Sequence, residues 1–325
     1  MNDRSVSLLD KYDIEVLRTW KGRSAVLCET KQGIFILKEY AGHREKVVFQ
    51  DALLHIIREK GFYQAESILK NKDEELLTQD QDGTCYVLKT YVEGRECNVR
   101  DMEECRQAVK LLASFHKVSG PDEAFLEKPV PHCACQEFEK HNRELRRVKK
   151  YLKERGQKTD FEICLMHAYD YFFQLALQVT EELNDFQSGQ GYSLICHGDY
   201  QYHNLTIADG QMHMANFEKC IYDSPVRDLY LFMRKLLEKS GWSETVGFEL
   251  IKTYEKVRIL EKEDYLQLYY RLAYPEKFWK IVNFYYNSGK AWIPGKNLEK
   301  LNKVIDQEKD KQVFLARMRE KYGLP

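Results

Sequence analysis

The chain has 325 residues, enough for two lobes, or for one large domain with its own core. Hydrophobic residues make up 43% and charged residues 31%, which excludes global disorder. Fifty Lys and Arg against fifty-one Asp and Glu leave a formal charge of −1, so no bulk attraction to nucleic acid or to a membrane surface is implied.

In chain order, the first residues (Met1 to Ser5) carry no apolar signal region, and no run approaches the roughly eighteen apolar residues of a membrane span. The nine cysteines, odd in number and scattered, therefore read as reduced intracellular residues. Val26–Glu29 and Ile34–Lys38 read as a hairpin joined by Thr30-Lys31-Gln32-Gly33. The spacing of Val47, Val48, Asp51, Leu54 and Ile57 predicts a helix over Arg44–Lys60, stopped by Gly61. A further strand is expected at Cys85–Val92, then a helix over Met102–Lys117 with Ala108, Leu111, Leu112 and Phe115 on one stripe. After a proline-containing loop, two long amphipathic helices are expected across Gln136–Phe186, and helices resume after a hairpin at Leu205–Ala215. His132-Cys133-Ala134-Cys135 has the residue types of a soft-metal site, but no second cluster completes the usual four ligands. The expected fold class is α+β: a strand-rich N-terminal lobe over 1–93, a helical C-terminal lobe over 94–325, and a ligand cleft between them.

The chemistry concentrates in His197-Gly198-Asp199-Tyr200-Gln201-Tyr202-His203-Asn204, delivered by the apolar run Leu194–Cys196. Phosphoryl transfer to a hydroxyl needs a carboxylate that orients the nucleophile and takes its proton, and an oxygen ligand for the metal on the phosphates. Asp199 and Asn204 have the Asp-x-x-x-x-Asn spacing that does both in kinase catalytic loops. Asp209-Gly210 is a tight-turn pair, and counting outward from it sets Asn204 opposite Ala215. Asn216 and Glu218 then stand at the open end of the hairpin as further metal-site candidates. Lys38, at a strand end, is placed to grip nucleotide phosphates. Asp51 is the first choice for its acidic partner on the following helix, and Glu45 the alternative. Trp20-Lys21-Gly22-Arg23-Ser24 would offer backbone N–H groups and the Ser24 hydroxyl to phosphate, and adenine would meet the backbone near Thr90–Val92. Asp228 reads either as a helix cap or as an acceptor for catalytic-loop N–H groups. Tyr200 and His203 read as loop filling or as substrate contacts.

His197-Gly198-Asp199 with Asn204, the hairpin, and Asp223-Ser224-Pro225-Val226-Arg227-Asp228-Leu229 resemble the aminoglycoside phosphotransferase and choline kinase superfamily. Tyr91–Cys97, Leu112–Lys117, Tyr274–Ile281 and Tyr285–Pro294 resemble, more closely, the CotS family of spore-coat proteins, over about residues 12 to 305. That resemblance implies a kinase-like two-lobed fold, ATP and magnesium as cofactors, synthesis in the mother-cell cytoplasm, and a final place on the spore coat. The superfamily carries aspartate where this chain has Asn216, so one negative charge facing magnesium is lost, and Glu218 stands near to compensate. Two functions follow: a weak or inactive kinase fold acting in coat assembly with other coat proteins, or an active phosphotransferase with Asp199 as base and a small-molecule or protein hydroxyl as acceptor. The aromatic stretch with Leu266, Tyr269, Tyr270, Phe278, Ile281, Val282 and Tyr285 has the spacing of a buried helix face, with an acceptor pocket or coat cross-linking as alternatives.

Overall fold

The computed structural model describes residues 6–22, 25–120, 132–187, 194–287 and 294–325. The chain forms two compact units. Unit 1 comprises residues 1–130, 194–222 and 256–258, and unit 2 comprises 131–193, 223–255 and 259–325. The loop predicted to carry chemistry thus clusters with the N-terminal sheet, a different partition from a boundary after residue 93.

Unit 1 is built on an antiparallel sheet of β1 (Val16–Gly22), β2 (Ala25–Thr30), β3 (Gly33–Glu39), β4 (Ile68–Leu69), β5 (Thr78–Gln79) and β6 (Cys85–Tyr91), in the order β1-β2-β3-β6-β4 with β5 also on β6. Period-two alternation gives the sheet two faces. Val26, Cys28, Phe35, Leu37 and Leu88 pack against Leu8, Leu9 and Tyr12 in one core. On the opposite face the register sets Ile36 beside Lys89 and Lys38 beside Val87, so two lysines share one side of adjacent strands. The helix α1 (Arg44–Glu59) buries Val47, Gln50, Leu53, Leu54, Ile56 and Ile57. A second helix, α2 (Met102–Val118), is capped by Asp101, whose carboxylate accepts the Glu103 N–H at 2.8 Å.

The second part of unit 1 begins with β8 (Leu194–Cys196). The hairpin β9 (Leu205–Ala208) and β10 (Gln211–Met214) closes through Asp209 and Gly210, both at positive φ (49° and 76°), the conformation its two-residue turn demands. The pairing of Ala208 with Gln211 matches the register counted from the sequence, and Ala215 N–H donates to Asn204 C=O at 3.0 Å. A short strand missed in the sequence, β7 (Arg95–Glu96), makes the hairpin three-stranded by pairing with β9. On the other side, Gln64–Glu66 runs along the end of β10. Met214 N–H donates to Gln64 C=O and Glu66 N–H to Met214 C=O. The short strand β11 (Ile221–Asp223) follows the site loop.

Unit 2 is helical: α3 (Ala134–Glu154), α4 (Asp160–Gln187), α5 (Val226–Ser240), α6 (Glu244–Glu255), α7 (Lys262–Ala273), α8 (Glu276–Asn287) and α9 (Pro294–Tyr322). Leu145, Phe161, Leu165, Phe172, Phe278, Ile281, Val282 and Leu301 form its core, so the late aromatic stretch is core packing at those positions. Asp223, 2% exposed, accepts from Arg271 at 2.7 Å and from Arg227 at 3.0 Å, and His132 lies 3.1 Å from it. His132 is therefore held by acidic neighbours at the start of α3, and Cys133 serves as the helix N-cap residue. No described helix is long and apolar enough to cross a membrane.

Candidate functional site

Within unit 1, a cavity of about 420 Å³ is lined by Lys38, Lys46, Asp199, Asn204, Asn216, Glu218 and Lys219, among others. A second cavity, about 620 Å³, lies in unit 2 between α3 and α4 and contains none of these residues.

The loop after β8 owes its shape to two residues. Gly198 has φ +77°, and a Cβ there would sit 1.9 Å from the Lys219 carbonyl oxygen, so only glycine lets the two segments approach. His197 is fully buried. Its Nε2 meets the Ala215 carbonyl at 3.0 Å, and its Nδ1 receives the Asp199 N–H at 3.2 Å. A carbonyl can only accept and an amide N–H can only donate, so the proton sits on Nε2. Tyr200 is loop filling: it is fully buried and donates to the Ala108 carbonyl at 2.7 Å.

Asp199 has both carboxylate oxygens engaged, Oδ1 by Gln201 at 2.5 Å and Oδ2 by Lys219 at 2.9 Å. Burial opposes its ionisation, yet the bonds from Lys219 and Gln201 hold its carboxyl below the usual range. It is ionised at neutral pH.

From Asp199 a hydrogen-bonded relay crosses the site. Asn204 Nδ2 donates to the Asp199 carbonyl at 2.7 Å, and Asn216 Nδ2 donates to Asn204 Oδ1 at 2.9 Å. Lys38 Nζ then donates to Asn216 Oδ1 at 3.1 Å and to Glu218 Oε1 at 3.2 Å. Lys89 Nζ reaches the same Glu218 oxygen at 2.7 Å and Glu66 Oε1 at 3.0 Å. Glu66 closes the path by accepting the backbone N–H groups of Asn216 (3.0 Å) and Phe217 (3.1 Å), with Gln50 Nε2 at 3.2 Å. Asn216 itself is left-handed, φ +67°, a conformation its short polar side chain tolerates. Phe217 anchors the turn by packing against Phe115 and His197.

The electrostatics follow from burial. Lys89 is 1% exposed. Burial disfavours its charge, but Glu66 and Glu218 outweigh that and raise its pKa. Burial likewise opposes ionisation of Glu218, and Lys89 followed by Lys38 brings its carboxyl down to about 2.

Lys38, Asp199, Asn204, Asn216 and Glu218, expected from the sequence, are thus assembled around one cavity. Asp51 is not the partner of Lys38. It lies one residue past Gln50, turned toward His55, and burial raises its pKa. Glu45 is exposed in the first turn of α1. The acid that meets Lys38 is Glu218. Val92 is half-buried just beyond β6 and does not line the cavity, and Ser24 lies outside the described residues. Asp228 is fully buried, inside the first turn of α5 rather than at its cap, which is Pro225. Glu66, Lys89 and Gln50 were not anticipated. A lysine directly after Val87 and Leu88 in a central strand was the available signal, since a buried ammonium needs acids nearby.

A divalent cation here would need hard oxygen ligands, with carboxylates foremost. Asn204 and Asn216 supply amides, and their oxygens take hydrogen bonds from Asn216 and Lys38. The acid beside them, Glu218, gives one oxygen to two ammonium groups, one of them buried and fixed. This donor set does not fit magnesium.

Comparison with known proteins agrees with this architecture. Spore coat protein S of Bacillus subtilis (strain 168) is 24% identical over 322 residues, covering 93% of this chain and 88% of that protein. The crystal structure of an aminoglycoside phosphotransferase from Alicyclobacillus acidocaldarius superposes with a TM-score of 0.83 at 18% identity, over 98% of this chain and 96% of that one. Spectinomycin phosphotransferase APH(9)-Ia, solved with ADP and spectinomycin, gives a TM-score of 0.66 at 12% identity, over 94% and 97%. Choline kinases also share the fold, which is α+β and kinase-like as expected. The family model described as "Spore coat putative kinase YutH" matches residues 5–318, and this chain belongs to that spore-coat family.

Proposed function

We propose that the chain is a spore-coat-associated protein whose kinase-like unit 1 binds the phosphates of a nucleotide, ATP being the natural candidate, and that robust magnesium-dependent phosphotransfer has been lost. One observation carries this reading: the position that should present a metal-binding carboxylate presents Asn216, whose oxygen is held by Lys38. The coat location and a role in coat assembly among other coat proteins come from the family and from the likeness to spore coat protein S. Nucleotide binding is supported by the ADP bound in the spectinomycin phosphotransferase of the same fold, and by Lys38 at the cavity wall.

A second reading, an active phosphotransferase acting on a small-molecule or protein hydroxyl, is favoured by Asp199. It is ionised, and its partner Lys219 is exposed enough to swing away and admit a hydroxyl. Thermal unfolding with ATP, paired with γ-phosphate release, separates the two. The proposed function expects ATP to raise the unfolding temperature, since a ligand of the folded state stabilises it, with release at background. Turnover in the range of about 1–100 s⁻¹ usual for kinases would establish the second reading. No thermal shift and no turnover would refute both.

A further inference from the structure

Lys89 is the unusual residue of the site. It projects from the central strand β6 on the same sheet face as Lys38, one strand away, and is 1% exposed. Lys38 can swing toward solvent, its side chain being 36% exposed, whereas Lys89 has no such freedom. Its ammonium lies 2.7 Å from Glu218 Oε1 and 3.0 Å from Glu66 Oε1, so a positive charge is fixed behind the Asn216 turn. A metal ion brought to Glu218 would meet that charge at close range, with no carboxylate at position 216 to offset it.

The two departures compensate each other. An aspartate at 216 would add a negative charge that calls for a cation. The amide adds none, and Lys89 already balances one of the two acids, Glu66 and Glu218. With Lys38 on Glu218, two lysines face two acids, and their formal charges sum to zero without any added ion. The cavity wall sets the ammonium groups of Lys38, Lys46 and Lys219 against the carboxylates of Glu39, Asp199 and Glu218, and Asp199 and Glu218 are already held by Lys219 and by Lys38 with Lys89.

We propose that this site binds its nucleotide as the metal-free anion, with the phosphates on the Lys38 ammonium and the buried Lys89 in the electrostatic place of a divalent cation. The proposal rests on the nucleotide-binding reading above and specifies its ionic form.

The test uses the full chain and a fluorescent ATP analogue, MANT-ATP, titrated in EDTA and in millimolar magnesium chloride, with unlabelled ATP as competitor. The expected dissociation constants agree within about threefold between the two buffers, a difference well under 1.4 kcal/mol. Binding tighter by about tenfold or more in magnesium overturns this proposal and leaves nucleotide binding standing. Absence of binding in both buffers overturns the nucleotide reading as well. N216D, checked for folding by circular dichroism, is expected to bind more tightly in magnesium than in EDTA by about tenfold. An N216D protein that folds and stays indifferent to magnesium would show that position 216 does not face the phosphates, and would also overturn the proposal.

Discussion

Two lysines donate to one oxygen of Glu218, and their burial predicts very different consequences of losing each. In Lys89→Met the apolar stem is kept, but Glu66 and Glu218 lose the charge that justified their burial. Breaking a buried ion pair from one side typically costs about 3–5 kcal/mol. In Lys38→Met the lost ammonium is more than one-third exposed and Lys89 remains on Glu218, so solvent screening limits the loss to about 0–1 kcal/mol. At about 2–4 °C per kcal/mol for a domain of about 150–250 residues, Lys89→Met lowers the unfolding temperature of unit 1 by about 6–20 °C, whereas Lys38→Met leaves it nearly unchanged. Thermal unfolding followed by circular dichroism, with urea titration alongside, measures both. The double variant Lys89→Met/Glu218→Gln should recover much of the loss. Glu66 would still accept N–H bonds from Asn216, Phe217 and Gln50 while Glu218 no longer carries charge. Equal costs for the two lysines, or strict additivity in the double variant, would refute the assignment of Lys89 as the buried counter-charge.

Acid should unfold the protein through the same kind of group. Glu218, Asp223 and Glu276 have carboxyls brought down to about 2 from ordinary values of 4.5, 3.8 and 4.5, so their stabilisation is complete above pH 4.5 and is lost as pH falls toward 2. A urea midpoint that stays level through that window would contradict these shifts. Gly198→Ala places a Cβ against the Lys219 carbonyl at positive φ, and a loss of at least about 1 kcal/mol is expected, counting only the left-handed backbone. A wild-type unfolding temperature in this variant would mean that the close approach is not required. Asp223→Asn strips the buried Arg271 and the partly buried Arg227 of their shared carboxylate, and a loss of about 3–5 kcal/mol is expected in denaturant titrations. A cost below about 1 kcal/mol would assign the cluster to a solvated surface instead.

Much of the assembly was legible because it is encoded locally. Asp209-Gly210 specifies its own turn, and a turn of known length sets the register that carries Asn204 to Ala215. The alternation in Ile34–Lys38 and the helical stripe in α2 likewise report burial directly. The ion-pair partners were illegible because they are non-local. Glu66 lies in an irregular segment with no periodicity, and it reaches the site only by running beside β10. Asp51 has the mid-helix place expected of the acid for Lys38, yet its carboxylate turns to His55. The buried polar residue of α1 facing the network is its neighbour Gln50, about 100° away around the helix. The short strands β4, β5 and β7, two residues each, are too brief to show a pattern and exist only through their pairings.

Unit 1 is discontinuous in sequence, interrupted by residues 131–193 of unit 2. During synthesis, the sheet carrying Lys89 emerges long before Glu218, its partner 129 positions later. Until then the nascent N-terminal segment holds a lysine aimed at the interior beside a single acid, Glu66. A fragment ending near residue 130 therefore lacks the hairpin and the Asn216 turn that fill that face, and it should not hold the native sheet by itself. Ribosome-tethered lengths that stop short of residue 222 should remain open to protease, with resistance appearing only once the later stretch has joined.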